Sequence, residues 1–271
     1  MALETYFMAQ NLVLFDKIYN ISDRGNKEDI YQRYLQYLKE YVKGFTDTSI
    51  KIKKLRKFDK RFEIIIQGPE EKFVLNLLKK EIGSVHDFKD IIVGKIYRGS
   101  LVDVGKVGFG LFVDCAILNP PIDVLVNLHK LREQLCNGNE RSLKEIIEAY
   151  DFIDHFPVYV KITELDEVNN KLLGELAPKT LEFYKKILKE NLECVFLSGE
   201  TKGQFKKALT KKSHFQDFVT LKRFGFLENL VLLKEGSNAP GIIAHIGNEL
   251  KNCKLSAIRP DKIRKLFQLK K

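Results

Sequence analysis

The sequence has few cysteines and no long apolar run, and both absences exclude classes of protein. The four cysteines among its 271 residues are far apart and form no CxxC pair, so neither a zinc knuckle nor a disulfide framework is expected. No apolar run approaches the roughly 20 residues that cross a bilayer, and the first residues lack the apolar centre of a secretion signal. We therefore expect a cytoplasmic protein with reduced, buried thiols and no membrane partner.

Familiar catalytic and cofactor signatures are also missing. The five histidines are scattered, with no HExxH or HxH arrangement, and neither GxSxG nor a glycine-rich nucleotide fingerprint occurs. We therefore expect no enzyme, no metal and no cofactor. A metal-dependent nuclease built from scattered carboxylates is the less favoured alternative.

Positive charge is concentrated at the C-terminal end of the chain. The formal net charge is +10; residues 178–271 hold 20 Lys and Arg against nine Asp and Glu, whereas residues 94–177 hold nine against 13. A basic region of this kind is typical of a protein that binds a phosphate-bearing partner. A lysine-rich soluble surface, as in heat-adapted proteins, is the alternative. RNA or another polyanion is the favoured interpretation.

Residues 1–93 are predicted to form a small α+β domain. The apolar pattern predicts strands at 11–19, 49–58 and 61–67, a turn at 21–25, and a helix at 29–42. The stretch Gly68-Pro69-Glu70-Glu71 is predicted to open a second helix that runs through Lys80, with Pro in its first turn. The hairpin between the second and third strands is basic. It either follows a phosphate backbone or is a solvated edge, and the second interpretation is favoured.

Residues 94–177 are predicted to close into a small barrel. Two alternating runs flank a centre that holds Gly105, Gly108 and Gly110, and clustered glycines in a strand pattern mark tight coiling. Further strands are predicted at 122–131, 156–164 and 171–176, with a short helix begun by Ser142 after the third strand. Five short strands with a helix after the third is the OB-fold order.

The motifs of this barrel resemble those of the S-one RNA-binding domain, the OB-fold repeat named after the large bacterial small-subunit ribosomal protein. The resemblance rests on four stretches: Gly94-x-Ile-x-x-Gly99, Phe109-Gly-Leu-Phe-Val-Asp114, the run Val124–Leu131, and Asp166 followed by Lys171. It implies an OB fold and an RNA partner.

The resemblance also implies roles for individual residues. In that family two aromatics and a histidine of the third strand stack on bases, and a basic residue of the last strand meets the backbone. By position these roles fall to Phe109, Phe112 and Lys171. Asn127 stands where the family has its histidine, and His129 follows two places later, on the same face of the predicted strand. The other RNA-binding candidates on the barrel are Arg98 and Lys106.

The two phenylalanines have a physical rationale apart from the family. Aromatic rings on a curved sheet give bases a stacking platform that tolerates any sequence. The alternative is that Phe109 and Phe112 are core residues, as most phenylalanines are. A spacing of three places them on opposite faces of a regular strand, so one of them is expected to be core unless the glycines change the register. Phe109 is favoured as the more exposed of the two.

Residues 178–271 are predicted to form a third, basic α+β domain. Helices are predicted at 180–190, 203–212 and 239–250 and strands at 192–197, 228–233 and 254–258; residues 219–226 are ambiguous, and Pro260 begins a short final helix. The RNA-binding candidates here are Lys206, Lys207, Lys211 and Lys212.

A candidate phosphate site lies in the stretch 234–241, where a strand ends in a glycine turn and a helix begins. Its candidate residues are Gly236, Ser237, Asn238 and Gly241. Free N–H groups at such a helix start suit a phosphate, and a plain helix cap is the favoured alternative. Together with the barrel, this region also resembles an uncharacterised archaeal protein family of the same three-part layout, which brings no established activity.

These observations predict a multidomain α+β protein with a central five-stranded OB-fold barrel between two small α+β domains. The predicted function is non-catalytic RNA binding. A structured RNA such as rRNA, in or on the ribosome, is favoured because the charge and the stacking face lie on different domains. The alternative is a protein-interaction adaptor whose acidic barrel docks on a basic protein partner.

Overall fold

The computed structural model describes residues 9–19, 27–250 and 252–268. The chain divides into two compact units, Met1–Val85 and His86–Lys271. The turn predicted at 21–25 lies outside the described residues. No helix within the described part of the chain is long and apolar enough to cross a membrane.

The first unit has the predicted order of strand, helix, strand, strand, helix. Its elements are β1 (Gln10–Lys17), α1 (Lys27–Tyr41), β2 (Ser49–Leu55), β3 (Arg61–Gln67) and α2 (Glu71–Glu81). The three strands form an antiparallel sheet in the order β1-β3-β2. Tyr34 of α1 packs on this sheet, with its ring centroid 4.5 Å from that of Phe62 in β3. The helical spacing of apolar residues in α1 therefore supplies the core of the unit.

The second unit begins with a closed barrel. Its first elements are β4 (His86–Asp87), β5 (Ile96–Val102), β6 (Gly110–Leu118), β7 (Ile122–Asn127), α3 (Leu128–Leu135), α4 (Leu143–Tyr150), β8 (Pro157–Asp166) and β9 (Lys171–Leu176). Strands pair in the cycle β6-β5-β8-β9-β7, and a β6–β7 pairing closes it. Only the β7–β9 pair of this cycle is parallel. This confirms the predicted five-stranded OB-fold barrel.

Two glycines allow the strands of the barrel to approach closely. A Cβ atom on Gly99 of β5 would lie 2.3 Å from the Val113 Cγ1 atom of β6. A Cβ atom on Gly110 would lie 2.5 Å from the carbonyl oxygen of Val126 in β7. Both distances are shorter than any van der Waals contact, so the curvature of the barrel requires glycine at these two positions.

The third barrel strand is shorter than predicted. It ends at Asn127 and not at residue 131, because the Asn127 Oδ1 atom accepts a hydrogen bond from the Lys130 N–H (2.9 Å) and begins helix α3. Leu131 and Leu135 of that helix are buried. The prediction to 131 was wrong because Val124, Val126 and Leu128 continue the alternation across the cap. The helix start at Ser142 is confirmed by a capping box with Glu145.

A four-stranded antiparallel sheet completes the second unit. Its elements are α5 (Pro178–Glu190), β10 (Cys194–Ser198), α6 (Lys202–Lys211), β11 (Phe218–Arg223), β12 (Glu228–Leu233), α7 (Ala239–Ile246), β13 (Lys254–Ile258) and α8 (Pro260–Arg264). The strand order is β11-β12-β10-β13. Residues 219–223 of the ambiguous stretch are therefore strand, and residues 224–226 are not. The predicted helix 239–250 ends at Ile246 and is followed by a short 3-10 turn.

The barrel and this sheet share one continuous core. The Phe156 ring centroid, at the start of β8, lies 4.6 Å from that of Phe196 in β10. Ile258 of β13 and Tyr184 of α5 belong to the same buried cluster. The central and C-terminal parts of residues 86–271 therefore stabilise one another by burying apolar surface in common.

The prediction of four buried thiols holds for three of the cysteines and is wrong for Cys253. Cys115, Cys136 and Cys194 are buried, and Cys253 is partly exposed. Burial raises the pKa of Cys136 to about 11 and that of Cys194 to about 12. Both of these side chains are therefore protonated and unreactive at neutral pH.

The close approach of the barrel strands gives a test of the fold. We expect Gly99→Ala to lower the free energy of unfolding by about 1–3 kcal/mol, because the added methyl group overpacks against Val113. Gly108→Ala is the matched control, since nothing lies within 4 Å of its Cβ position. Urea denaturation measures both variants. Equal stabilities for the two variants would contradict this account of barrel closure.

Candidate nucleic-acid interface

Phe109 and Phe112 lie together on the outside of the barrel. Phe109 comes directly before β6 and is 56% exposed, whereas Phe112 within β6 is half-buried. Their ring centroids are 6.1 Å apart and their planes meet at 87°. The opposite-face argument does not apply, because the strand begins at Gly110 and Phe109 precedes it. Phe109 is the more exposed ring, as predicted.

An apolar band continues from Phe112 across the outer face of the barrel. The strand register places Val102 of β5 and Leu125 of β7 on either side of Phe112, and Leu173 of β9 beside Leu125. All four side chains are partly exposed. This set, with Phe109, is called the platform below. A partly exposed apolar surface that ends in an exposed ring suits the flat face of a base.

The loop that carries Phe109 is anchored at both ends. At its start the Val104 N–H donates to the Asp154 Oδ1 atom (2.9 Å), and at its end the Phe109 carbonyl accepts from the Leu128 N–H (2.8 Å). Asp103 and Gly105 both have positive φ, at 54° and 82°. The turn and its two anchors therefore fix the backbone that carries the Phe109 ring beside β6.

The basic candidates of the barrel have different surroundings. Lys171 is exposed at the start of β9. Lys106 forms an ion pair with Asp103 (2.6 Å), and this hydrogen bond raises the pKa of Lys106. Arg98 donates a hydrogen bond to the Phe224 carbonyl and so links the barrel to the C-terminal sheet. Of these three cations, Arg98 already has a structural task.

Asn127 and His129 do not lie side by side on a strand. Asn127 is the N-cap of α3, and His129 is exposed in the first turn of that helix. The predicted placement of His129 on the strand face is therefore wrong, since the cap ends the strand before it. Whether either side chain contacts RNA stays a prediction.

The four lysine candidates of α6 and its C-cap fall into two pairs. Lys206 and Lys207 are exposed, and the Lys206 Nζ atom lies 6.0 Å from the centroid of the Phe215 ring. Lys211 and Lys212 both form ion pairs with Glu249, at 2.8 and 3.5 Å. These contacts, the Lys211 hydrogen bond above all, lower the pKa of Glu249. Lys206 and Lys207 take no part in the two Glu249 ion pairs, so a polyanion could meet them without displacing that carboxylate.

The candidate phosphate site at 234–241 is already occupied by protein groups. The Asn238 Oδ1 atom accepts from the Gly241 N–H (2.7 Å), and the Glu193 Oε2 atom accepts from the Ala239 N–H (2.6 Å). Ser237 donates from its hydroxyl to the Asp217 carbonyl (3.2 Å), and Gly236 turns the chain with a φ of 82°. A phosphate would have to displace the Glu193 carboxylate, which favours the helix-cap interpretation.

The structure brings together two histidines that sequence reasoning treated as scattered. His214 Nε2 lies 3.0 Å from His245 Nδ1, and His214 Nδ1 lies 2.6 Å from the Asp217 carboxylate. The Asp217 carboxylate accepts a hydrogen bond from the His214 Nδ1–H group. The other nitrogen of a neutral His214 ring, Nε2, carries no hydrogen, so it accepts from the His245 Nδ1–H group. Only the His214-x-x-Asp217 spacing was visible in the sequence, because His245 is on another helix. Among the described residues, no three His, Cys, Asp or Glu side chains group to hold a metal ion.

The hydrogen bond that caps α3 gives a test of the structural role of Asn127. We expect Asn127→Ala to lower the free energy of unfolding by about 1 kcal/mol, because the Lys130 N–H loses its acceptor. Asn127→Ser keeps a capping oxygen and serves as the control. Thermal unfolding followed by circular dichroism measures both variants. If Ala and Ser are equally stable, the cap does not hold α3 in place.

Comparison with known families identifies the two domains of the second unit. The DUF2110 central domain matches residues 91–187, and the DUF2110 C-terminal domain matches residues 193–258. The chain therefore carries both of these DUF2110 domains. No curated protein matches the chain in sequence.

Three solved structures are similar to about one third of the chain. Uncharacterized protein MJ1198 from Methanocaldococcus jannaschii is 15% identical, with a TM-score of 0.23 over 33% of this chain and 96% of that one. GSP13 from Bacillus subtilis is 22% identical, with a TM-score of 0.24 over 32% and 56%. The K3L protein from vaccinia virus is 12% identical, with a TM-score of 0.22 over 32% and 89%. At these scores none of them carries weight for function.

Proposed function

We propose that this chain, with its two DUF2110 domains, is an RNA-binding protein that acts without catalysis. The platform on the closed barrel is the observation that carries this proposal. It presents an exposed ring beside a partly exposed apolar band, and a loop anchored at both ends holds that ring. Base–aromatic stacking contributes about 1–3 kcal/mol per base in proteins that bind single strands.

The RNA that we propose is a structured one, such as ribosomal RNA in the cytoplasm. The barrel itself is acidic, with nine Lys and Arg against 13 Asp and Glu over residues 94–177. Its own charge therefore contributes little to binding a polyanion. The lysines of α6 belong to the same compact unit as the platform, so an RNA large enough to reach both would combine stacking with phosphate contacts.

A protein-interaction adaptor is the second candidate, and one surface favours it. Ile92, Val93 and Ile96, at the start of the barrel, are exposed branched apolar side chains close together in the chain. Exposed apolar clusters on an acidic domain are typical of a surface that docks another protein. In this case the platform would not contact the partner protein, and substitutions of its residues would leave partner binding unchanged.

The exposed ring of the platform gives the first functional test. We expect Phe109→Ala to weaken binding of a short single-stranded RNA by about 1–3 kcal/mol, because one base loses its stacking partner. Phe109→Tyr keeps an aromatic face and should retain binding. Fluorescence anisotropy with a labelled RNA of mixed sequence measures the dissociation constants.

Phe73→Ala is the matched control for this experiment. Phe73 is 62% exposed and belongs to the first unit, away from the platform residues in the chain. An equal loss from Phe109→Ala and Phe73→Ala would argue against stacking at Phe109. Failure of the unaltered protein to bind RNA or ribosomal subunits at low salt would refute the proposed function.

The basic helix gives a second test, through salt dependence. Removal of residues 178–271 would expose the shared core, so charge substitutions on α6 are the sharper experiment. We expect Lys206→Ala/Lys207→Ala to reduce the slope of log K against log salt by about 1.4, if each lysine neutralises one phosphate of a single strand. Titrations at several salt concentrations measure the slope.

Lys185→Ala/Lys186→Ala on α5 removes the same charge from two exposed lysines of the same unit. A general charge effect would change both slopes alike. A specific contact on α6 requires the larger change in the Lys206/Lys207 variant.

A further inference from the structure

The loop that carries Phe109 meets the C-terminal sheet through a single carboxylate. The Asp154 Oδ1 atom accepts from the Val104 N–H at the start of this loop (2.9 Å). The Asp154 Oδ2 atom accepts from the Lys254 Nζ atom of β13 (2.7 Å). Asp154 and Lys254 are 100 residues apart in sequence. Lys254 therefore lies beside the loop although it belongs to another part of the fold.

Two lysines and two aspartates form one cluster at this place. Lys106 pairs with Asp103 within the loop (2.6 Å), and the Asp154 charge also contributes to raising the pKa of Lys106. Burial would raise the pKa of Asp154, but the hydrogen bonds from Lys254 and the Val104 N–H outweigh it and hold that pKa below its usual range. Asp154 is therefore charged at neutral pH, and each of the two aspartates pairs with a lysine.

Lys254 also lies opposite the strand end from which the chain continues into the basic helix. Within the sheet it lies opposite Ser198, the last residue of β10, and α6 begins four residues later at Lys202. Its side chain is 60% exposed although it is paired. A strand of RNA that leaves Phe109 toward α6 would thus meet a cation that the acidic barrel does not itself supply.

We infer that Lys254 binds the RNA backbone where it leaves the platform, and that Asp154 competes with phosphate for this lysine. The inference rests on the proposed function and names one further contact of the same surface. A phosphate oxygen takes the place of the Asp154 oxygen at the Lys254 ammonium group. Asp103 competes in the same way for Lys106. The two carboxylates therefore weaken the binding of any polyanion. An RNA that also stacks on Phe109 offsets this loss of affinity, whereas a polyanion that does not stack has no such compensation.

The alternative is that Asp154 and Lys254 only clamp the loop to the sheet. Ion pairs at a protein surface contribute little to stability, so a clamp of this kind is a weak one. The two interpretations predict opposite signs. If the pair is only a clamp, removing the charge of Asp154 loosens the loop and lowers RNA affinity. If Asp154 competes with phosphate, removing its charge frees Lys254 and raises RNA affinity.

The chain contains a matched control pair for this experiment. Lys186 and Glu190 of α5 form an exposed ion pair (3.6 Å), and the Lys186 side chain is 61% exposed, close to the value for Lys254. The four single variants are Lys254→Ala, Asp154→Asn, Lys186→Ala and Glu190→Gln. Asn at position 154 keeps an oxygen that can accept from the Val104 N–H. Anisotropy titration of a labelled single-stranded RNA at several salt concentrations measures all four, and thermal unfolding checks their stability.

We expect Lys254→Ala to weaken RNA binding severalfold at low salt and to reduce the salt slope by about 0.7, the value for one phosphate contact of a single strand. Asp154→Asn should strengthen binding more than Glu190→Gln does, and this gain should disappear in the Asp154→Asn/Lys254→Ala double variant. The Lys186→Ala and Glu190→Gln variants report the effect of net charge alone.

Two results would overturn the inference. One is a loss of affinity in Lys254→Ala no larger than that in Lys186→Ala. The other is weaker RNA binding by Asp154→Asn, which is the outcome for a clamp. Either result, with an unaltered protein that binds RNA and depends on Phe109, leaves the proposed function in place. An unaltered protein that binds no RNA refutes both.

Discussion

Closure of the barrel by the parallel β7–β9 pair and the β6–β7 pair is the constraint on which the candidate site depends. It places Val102, Phe112, Leu125 and Leu173 side by side although they come from four strands. Close strand approach at Gly99 and Gly110 makes that closure sterically possible. Without the β6–β7 pair, Val102 and Phe112 would be separated from Leu125 and Leu173, and no continuous apolar surface would face a base.

The shared core joins the acidic barrel to the basic C-terminal part of the same compact unit. Phe156 and Phe196 join the barrel and the C-terminal sheet in one buried cluster, and Arg98 links them again through the Phe224 carbonyl. Lys254 lies beside the platform loop as a result of this packing. A phosphate-bearing partner would therefore find stacking and charge on one compact unit, although the sequence separates them into regions of opposite net charge.

Most elements could be predicted from the sequence, and the errors have local physical causes. The OB-fold order followed from alternation and from the cap at Ser142, because such signals involve residues within about four positions. The error at residues 128–131 arose where an Asn cap interrupts a run that alternates on both sides of it. His129 was misplaced as a consequence. The ambiguity at 219–226 was resolved only by pairing of β11 with β12.

The sequence by itself determined most of the element order, the distribution of charge and the two phenylalanines of the candidate platform, since each depends on composition or short spacing. Strand register brings the other platform residues, Val102, Leu125 and Leu173, to the same face. Only the tertiary structure decided which distant groups meet. Asp154 and Lys254 are in contact across 100 residues, and His214 and His245 across 31. Strand register, barrel closure and core packing determine such contacts, and these depend on the whole chain at once, so no local pattern encodes them.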